Sequence, residues 1–161
     1  GETWKPTIDL HCDVHQVLAH PTRSGLVFAA AAVGLCRSDD DGATWEVLDA
    51  GLHATYARGV AFAGDVVIVS VSTGPAGARS AIYRRAIEAS PDRDFERSRA
   101  GLPEWLSGNI DTFCLAGDHA GAFTALGDRE GAVFVSEDAG TSWDAAASGL
   151  APVVALALAP S

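Results

Sequence analysis

A chain of 161 residues, 48% of them hydrophobic, is long enough to bury a substantial core and too apolar to stay disordered. The net charge of −10, from 21 acidic against 11 basic residues with lysine only at Lys5, argues against nucleic acid as a partner, because phosphate binding needs clustered Lys and Arg. The longest apolar stretch, 26–33, is too short to span a bilayer and reads as a buried strand, so no membrane partner is expected.

In chain order, Gly1-Glu2-Thr3-Trp4 reads as the tail of a turn motif, and 1–10 is expected to be the outer strand of a preceding unit. Segment 13–50 then shows four short strand signals: 15–19, stopped by Pro21, then 26–32, 34–38 and 45–49. Segment 56–100 repeats them at 58–63, 66–72, 81–85 and 95–99, with room for one helical turn at 86–89. Segment 110–148 repeats them again at 112–116, 122–126, 132–136 and 143–147. Segment 152–160 closes the chain with one further strand signal at 153–159. Abundant Gly, Ala, Val and Ser with few helix caps makes the chain all-β.

Two of the turns share one eight-residue pattern. Ser38-Asp39-Asp40-Asp41-Gly42-Ala43-Thr44-Trp45 and Ser136-Glu137-Asp138-Ala139-Gly140-Thr141-Ser142-Trp143 both read S-x-D-x-G-x-[ST]-W. Asp40 and Asp138 are expected to bond backbone N–H groups a residue or two ahead. Gly42 and Gly140 supply positive φ. Thr44 and Ser142 add a hydroxyl-to-backbone bond, and Trp45 and Trp143 open the next strand and bury a ring between sheets. Turn chemistry accounts for both aspartates, so they are read as structural. Five residues beyond each tryptophan stand Ala50-Gly51-Leu52 and Ser148-Gly149-Leu150, and Ala100-Gly101-Leu102 follows Phe95 at the same offset. Phe95 is therefore an aromatic anchor whose loop has decayed to Ser90-Pro91-Asp92-Arg93-Asp94. The anchors Trp4, Trp45, Phe95 and Trp143 are spaced by 41, 50 and 48 residues, the period of propeller blades.

The eight-residue pattern is similar to the Asp-box, and nearly the whole chain resembles the Asp-box (BNR-repeat) β-propellers, including bacterial glycosyl-hydrolase-like and sialidase-like propeller proteins. The resemblance implies a β-propeller of four-stranded antiparallel blades: about three complete blades, an outer strand at the start and an inner strand at the end. Such a set does not close a ring. It is read as the C-terminal part of a longer protein, whose partners are the remaining blades upstream or, alternatively, a second copy. Relatives implied are sialidases, xyloglucan-degrading glycosidases, sortilin-like receptors and photosystem assembly factors. No cofactor is implied.

A propeller of this kind places ligands at the mouth of its channel, where the loops before each innermost strand meet those joining its second and third strands. His15, Arg58, Thr112 and Val154 align there, with Tyr56, Asn109 and Asp111 in the loops before them. The loop 101–111 also carries Glu104 beside Trp105, a pairing suited to a sugar, although Trp105 filling a gap between blades is the simpler reading. The candidate ligand-binding rim is therefore His15, Tyr56, Arg58, Glu104, Trp105, Asn109 and Asp111. Tyr56 and Arg58 echo part of a sialidase site, but the arginine-isoleucine-proline motif of those enzymes is absent. The leading expectation is a module binding a glycan or protein ligand at the mouth. The alternative is a glycoside hydrolase, sialidase-like or another exo-glycosidase, whose site is shared with an N-terminal half. No metal site is expected: His15 and His20 lie five apart on a strand and face opposite ways. Cys12, Cys36 and Cys114 show no ligand spacing and lean toward free thiols in a reducing, cytoplasmic compartment.

Overall fold

Val66-Val67-Ile68-Val69-Ser70-Val71-Ser72 is the most β-branched run in the chain, and it becomes a strand buried at six of its seven residues. The structure, a computed structural model, describes residues 2–158. They form three four-stranded antiparallel sheets, each a simple meander in sequence order. The first holds β1 (Val14–Ala19), β2 (Val27–Ala31), β3 (Gly34–Ser38) and β4 (Glu46–Leu48). The second holds β5 (Tyr56–Ala63), β6 (Val66–Ser72), β7 (Ala81–Ala86) and β8 (Glu96–Arg97). The third holds β9 (Leu115–Gly117), β10 (Thr124–Gly127), β11 (Val133–Ser136) and β12 (Asp144–Ala147). One 3-10 turn, Leu10–Cys12, precedes β1. The all-β reading and the division into three four-stranded units both hold.

The period-2 alternation of β6 splits the core between its two neighbours. Val67, Val69 and Val71 pack with Leu26, Phe28, Leu35 and Leu48 of the first sheet, where Phe28 and Phe62 meet edge to face at 5.8 Å. Ile68 packs with Leu115, Leu126 and Trp143 of the third. The outer face of the first sheet carries only small buried side chains, Ala29, Ala31 and Cys36, covered by Ile8, Cys12, Val33 and Trp45.

The two eight-residue loops are superimposable in their bonding, and wider in reach than residue types alone suggest. Asp40 Oδ1 accepts from Thr44 N–H and Asp138 Oδ1 from Ser142 N–H, both at 2.8 Å and both four residues ahead. The Thr44 and Ser142 hydroxyls bond the second carboxylate oxygen at 2.6 Å instead of a backbone group. Ser38 and Ser136 each donate to the aspartate at 2.8 Å and accept from Gly42 and Gly140 N–H. These bonds hold the carboxyls of Asp40 and Asp138 at about 2, below the usual carboxylate range, the Thr44 and Ser142 hydroxyls contributing most. Gly42 and Gly140 take φ of 85° and 77°, as expected. Trp143 is 3% exposed between the second and third sheets, whereas Trp45 is half-buried on the outer face of the first.

A second repeated contact joins the units. Phe95 N–H donates to Ala50 O at 2.8 Å, and Trp143 N–H donates to Ala100 O at 3.0 Å. The glycines that follow, Gly51 and Gly101, both have φ of 79° and lie against those anchors. A Cβ on Gly51 would stand 2.8 Å from Phe95 O; one on Gly101 would overlap Trp143 O outright and stand 2.7 Å from its carbonyl carbon. A Cβ on Gly149, the third of the series, would meet nothing within 4 Å. The decayed loop is held by Arg85, whose guanidinium donates to the carbonyls of Ala89, Ser90 and Pro91 and stands 5.3 Å over the Phe95 ring.

Four expectations change. Residues 2–9 make no strand, and Trp4 is 90% exposed, since no ladder partner pairs the segment. Residues 152–158 make no strand either, although Val153 N–H donates to Asp128 O and Leu156 N–H to Phe113 O, which lays the segment along the third sheet. Gly1 and 159–160, the remainder of those two expected segments, lie outside the described residues, as does 161. The third inner strand runs over Leu115–Gly117 instead of 112–116, because Phe113 sits at φ 65° and Cys114 N–H turns back to Asp111 O at 2.9 Å. Residues 86–89 form a turn closed by Ala89 N–H to Ala86 O, not a helix.

Candidate functional site at the upper rim

β-bulges displace two of the four aligned rim residues, His15 and Arg58. The β1–β2 register shifts between Val14 and Gln16, and the β5–β6 register shifts between Ala57 and Val60. His15 falls in the first shift and Arg58 in the second, so neither is a regular ladder residue and each side chain is re-aimed. The backward turn at Asp111 does the same for the third inner strand. Asp13, at φ 50°, ends the 3-10 turn and turns its carboxylate toward His15.

The result is one polar cluster spanning three sheets. His15 Nδ1 lies 2.6 Å from Ala57 O, and its Nε2 lies 3.1 Å from Tyr56 Oη and 3.3 Å from Asp13 Oδ2. A carbonyl only accepts, so Nδ1 carries a hydrogen. The imidazole and phenol rings meet at 4.8 Å. Arg58 lies over the same phenol at 6.0 Å, with Nε 3.1 Å from Asp111 Oδ1. The angle of that contact is outside hydrogen-bond geometry, so both buried atoms lack a directional partner among the described residues. Arg129 donates to the other carboxylate oxygen at 3.0 and 3.2 Å. Asp111 is thus bracketed by two guanidiniums, a charge-paired acceptor. Thr112 joins through its hydroxyl to His15 O at 3.3 Å.

Gln16 holds the inner strands in this arrangement. Its Nε2 donates to Val60 O at 3.0 Å, and its Oε1 accepts from Val60 N–H and Phe113 N–H, both at 3.4 Å. Nothing in the sequence analysis singled it out. The available signal was a lone amide between His15 and the apolar run Val17-Leu18-Ala19.

The remaining rim candidates lie elsewhere. Trp105 packs against the core between the first and second sheets, with Arg97 over its ring at 4.0 Å, His53 at 5.0 Å and Arg79 at 6.0 Å. It fills the gap between blades. Glu104 is exposed, and its carbonyl accepts from Arg97. Asn109 is 2% exposed and committed on both sides, accepting from Ser72 Oγ and donating to Pro75 O. His53 donates through Nε2 to Arg79 O and meets Tyr83 Oη at 2.9 Å; burial, with Arg97 and Arg79 beside it, lowers its affinity for a proton.

Other concavities lie away from this cluster. A groove of about 320 Å³ opens at the opposite end of the inner strands, lined by Leu18, Pro21, Ala61, Phe62, Leu115 and His119 among others. A shallower one of about 670 Å³ lies outside the second sheet on the decayed loop.

No protein-family model matches the chain. A curated xyloglucanase of Hypocrea jecorina (strain QM6a) is 30% identical over 106 residues, which is 65% of this chain and 12% of that protein. The chain thus spans about an eighth of the curated relative. Among solved structures, a GH74 xyloglucanase from Xanthomonas campestris matches with a TM-score of 0.61 at 23% identity, over 81% of this chain and 20% of that one. An ancestral GH74 enzyme matches at 0.59 and 15% identity, over 81% and 18%. YCF48 from Cyanidioschyzon merolae matches at 0.58 and 16% identity, over 87% and 41%. The three sheets are therefore blades of a β-propeller, in a segment similar in sequence to a xyloglucanase.

Proposed function

We propose that this chain is part of an Asp-box (BNR-repeat) propeller that binds a glycan at the upper mouth of its channel. The observation that carries the reading is the six-residue cluster of Asp13, His15, Tyr56, Arg58, Asp111 and Arg129. Three blades contribute to it, and it combines the donors, acceptors and aromatic face that a polyhydroxylated ligand requires. The half-buried Arg58–Asp111 pair, without directed hydrogen bonds, is set to exchange that contact for ligand hydroxyls. Similarity to a xyloglucanase makes xyloglucan-derived oligosaccharides the first ligands to try. The outer faces of the first and third sheets are proposed to pack against further blades, from the same polypeptide in preference to a second copy.

A second reading, a glycoside hydrolase with its site shared with other blades, is favoured by the same sequence similarity. It needs two carboxyls roughly 5 to 9.5 Å apart across a sugar. Within the cluster Asp13 faces His15 and Asp111 faces two arginines, arrangements that suit binding more than proton transfer to a leaving group. Calorimetric titration of xyloglucan oligosaccharides into the full-length polypeptide tests both. Binding weakened about tenfold or more by Arg58→Ala and by Asp111→Asn supports the rim as the site. Binding unaffected by either substitution rules the rim out, and turnover lost with Asp111→Asn moves the assignment to the hydrolase.

A further inference from the structure

We infer that His15 is a proton-operated selector for the Tyr56 hydroxyl, so that one proton decides whether that hydroxyl faces inward to His15 or outward to the ligand. The inference rests on the reading of the rim as a binding site, and it adds the control of that site.

Ala57 O fixes the tautomer. With Nδ1–H committed to that carbonyl at 2.6 Å, a neutral His15 presents only the Nε2 lone pair to its other neighbours. Two groups stand there. Tyr56 Oη, at 3.1 Å, can donate to it. Asp13 Oδ2, at 3.3 Å, can only oppose it, one acceptor against another. Neutral His15 therefore accepts a hydrogen bond from the Tyr56 O–H, which points that hydroxyl inward. When a proton from solvent occupies Nε2, both preferences reverse. Nε2–H now donates to Asp13 in a charge-assisted bond, and Tyr56, which keeps its own proton, has lost its acceptor. Its O–H is freed to donate to a ligand oxygen.

The other groups facing the imidazole come from two neighbouring elements. From β5 come Tyr56 and Arg58, the latter paired with Asp111, which Arg129 pairs from the other side. From the third sheet's leading turn comes the neutral Thr112 hydroxyl, on the His15 carbonyl. With Arg58 and Arg129 both paired to Asp111, Asp13 is the carboxylate that faces the imidazole, and one proton on Nε2 takes the six-residue cluster from neutral to a net charge of about +1. Asp13, 64% exposed at its side chain against 9% for His15, is free to approach or withdraw as that charge comes and goes.

Nuclear magnetic resonance of the full-length polypeptide, labelled with 15N in histidine and 13C in tyrosine, tests the selector without any ligand. At pH 8 the His15 ring, identified by its loss in His15→Gln, is expected as the Nδ1–H tautomer. As the pH is lowered to 5.5, Tyr56 Cζ is expected to shift in step with His15 Nε2. Tyr56→Phe should leave the tautomer unchanged, because Ala57 sets it. The opposite tautomer, or a Tyr56 signal that stays flat while His15 titrates, overturns the inference. Xyloglucan oligosaccharide binding is then compared at the two pH values. About fivefold tighter binding at pH 5.5, abolished by His15→Gln, supports the link to ligand. Equal binding at both pH values, with the coupled titration present, overturns that link. A coupled titration with no binding at either pH overturns the glycan reading alone and leaves the selector standing.

Discussion

Replacing the glycine behind each aromatic anchor by alanine should cost very different amounts at three positions that look alike in sequence. Gly51, Gly101 and Gly149 all have φ between 72° and 79°, so each alanine carries the same left-handed penalty of roughly 1–2 kcal/mol. Their surroundings differ. At Gly149 the new methyl meets nothing within 4 Å, and the backbone penalty is the whole cost. At Gly101 it overlaps the Trp143 carbonyl, so the anchor must move away. That movement breaks the bond from Trp143 N–H to Ala100 O, about 1 kcal/mol. It also loosens a tryptophan packed between two sheets, for a total of roughly 3–5 kcal/mol. Gly51→Ala falls between, its methyl 2.8 Å from Phe95 O and 2.9 Å from Asp94 Cβ. Urea unfolding of the full-length polypeptide, followed by tryptophan fluorescence, should rank the losses Gly101 over Gly51 over Gly149. With a slope of about 1–3 kcal/mol per molar urea, the midpoints of the extreme pair should differ by about 1 M or more. Equal midpoints for Gly101→Ala and Gly149→Ala would show that the contact between units carries no stability.

Asp40 and Asp138, held at about 2 by hydrogen bonds, have folded values below the ordinary carboxylate value near 3.9. Their contribution is complete above that value and lost as the pH falls through about 2, so acid unfolding should steepen between pH 4 and 2, and Asp138→Asn should flatten the slope. The Cys36 thiol, pushed up to about 11 by burial and the neighbouring Cys12, should resist alkylation at pH 8 until the chain is unfolded in urea; rapid labelling of the native protein would contradict its placement on the covered outer face of the first sheet. His53, disfavoured as a cation by burial, should titrate below pH 6.5 and quench Trp105 as it does so, and His53→Gln should remove that step; a midpoint above 6.5 would refute the packing described for the pair.

Most of the architecture was legible because its signals are local. The eight-residue loops, the Gly offsets and the strand alternation each lie within a window of ten residues, and all twelve observed strands overlap their expected ranges. The strand that slid furthest, β9, did so because Phe113 took a left-handed backbone that no residue type advertises. The site was less legible because its contacts are distant. His15 and Tyr56 were expected at one rim, but their contact joins residues 41 apart, and Gln16 reaches Phe113 across 97. Sequence places an arginine near an aspartate only when they are neighbours, so the bracketing of Asp111 by Arg58 and Arg129 required the fold. Trp105 and Asn109 share the same loop as Asp111, yet packing and backbone bonding, not proximity in sequence, decide which of the three joins the polar cluster.

The contact that ties Phe95 and Trp143 to the preceding unit uses only an amide and a carbonyl, and this makes it indifferent to side-chain identity. Phe95 bonds Ala50 O as closely as Trp143 bonds Ala100 O, although the loop before Phe95 has lost its glycine and its hydroxyl and is braced by Arg85 instead. Erosion of a turn is thereby uncoupled from loss of the joint it leads into. A repeat built this way can drift at its most recognisable residues and keep its place in the array, while the inconspicuous glycine opposite the joint has no such freedom.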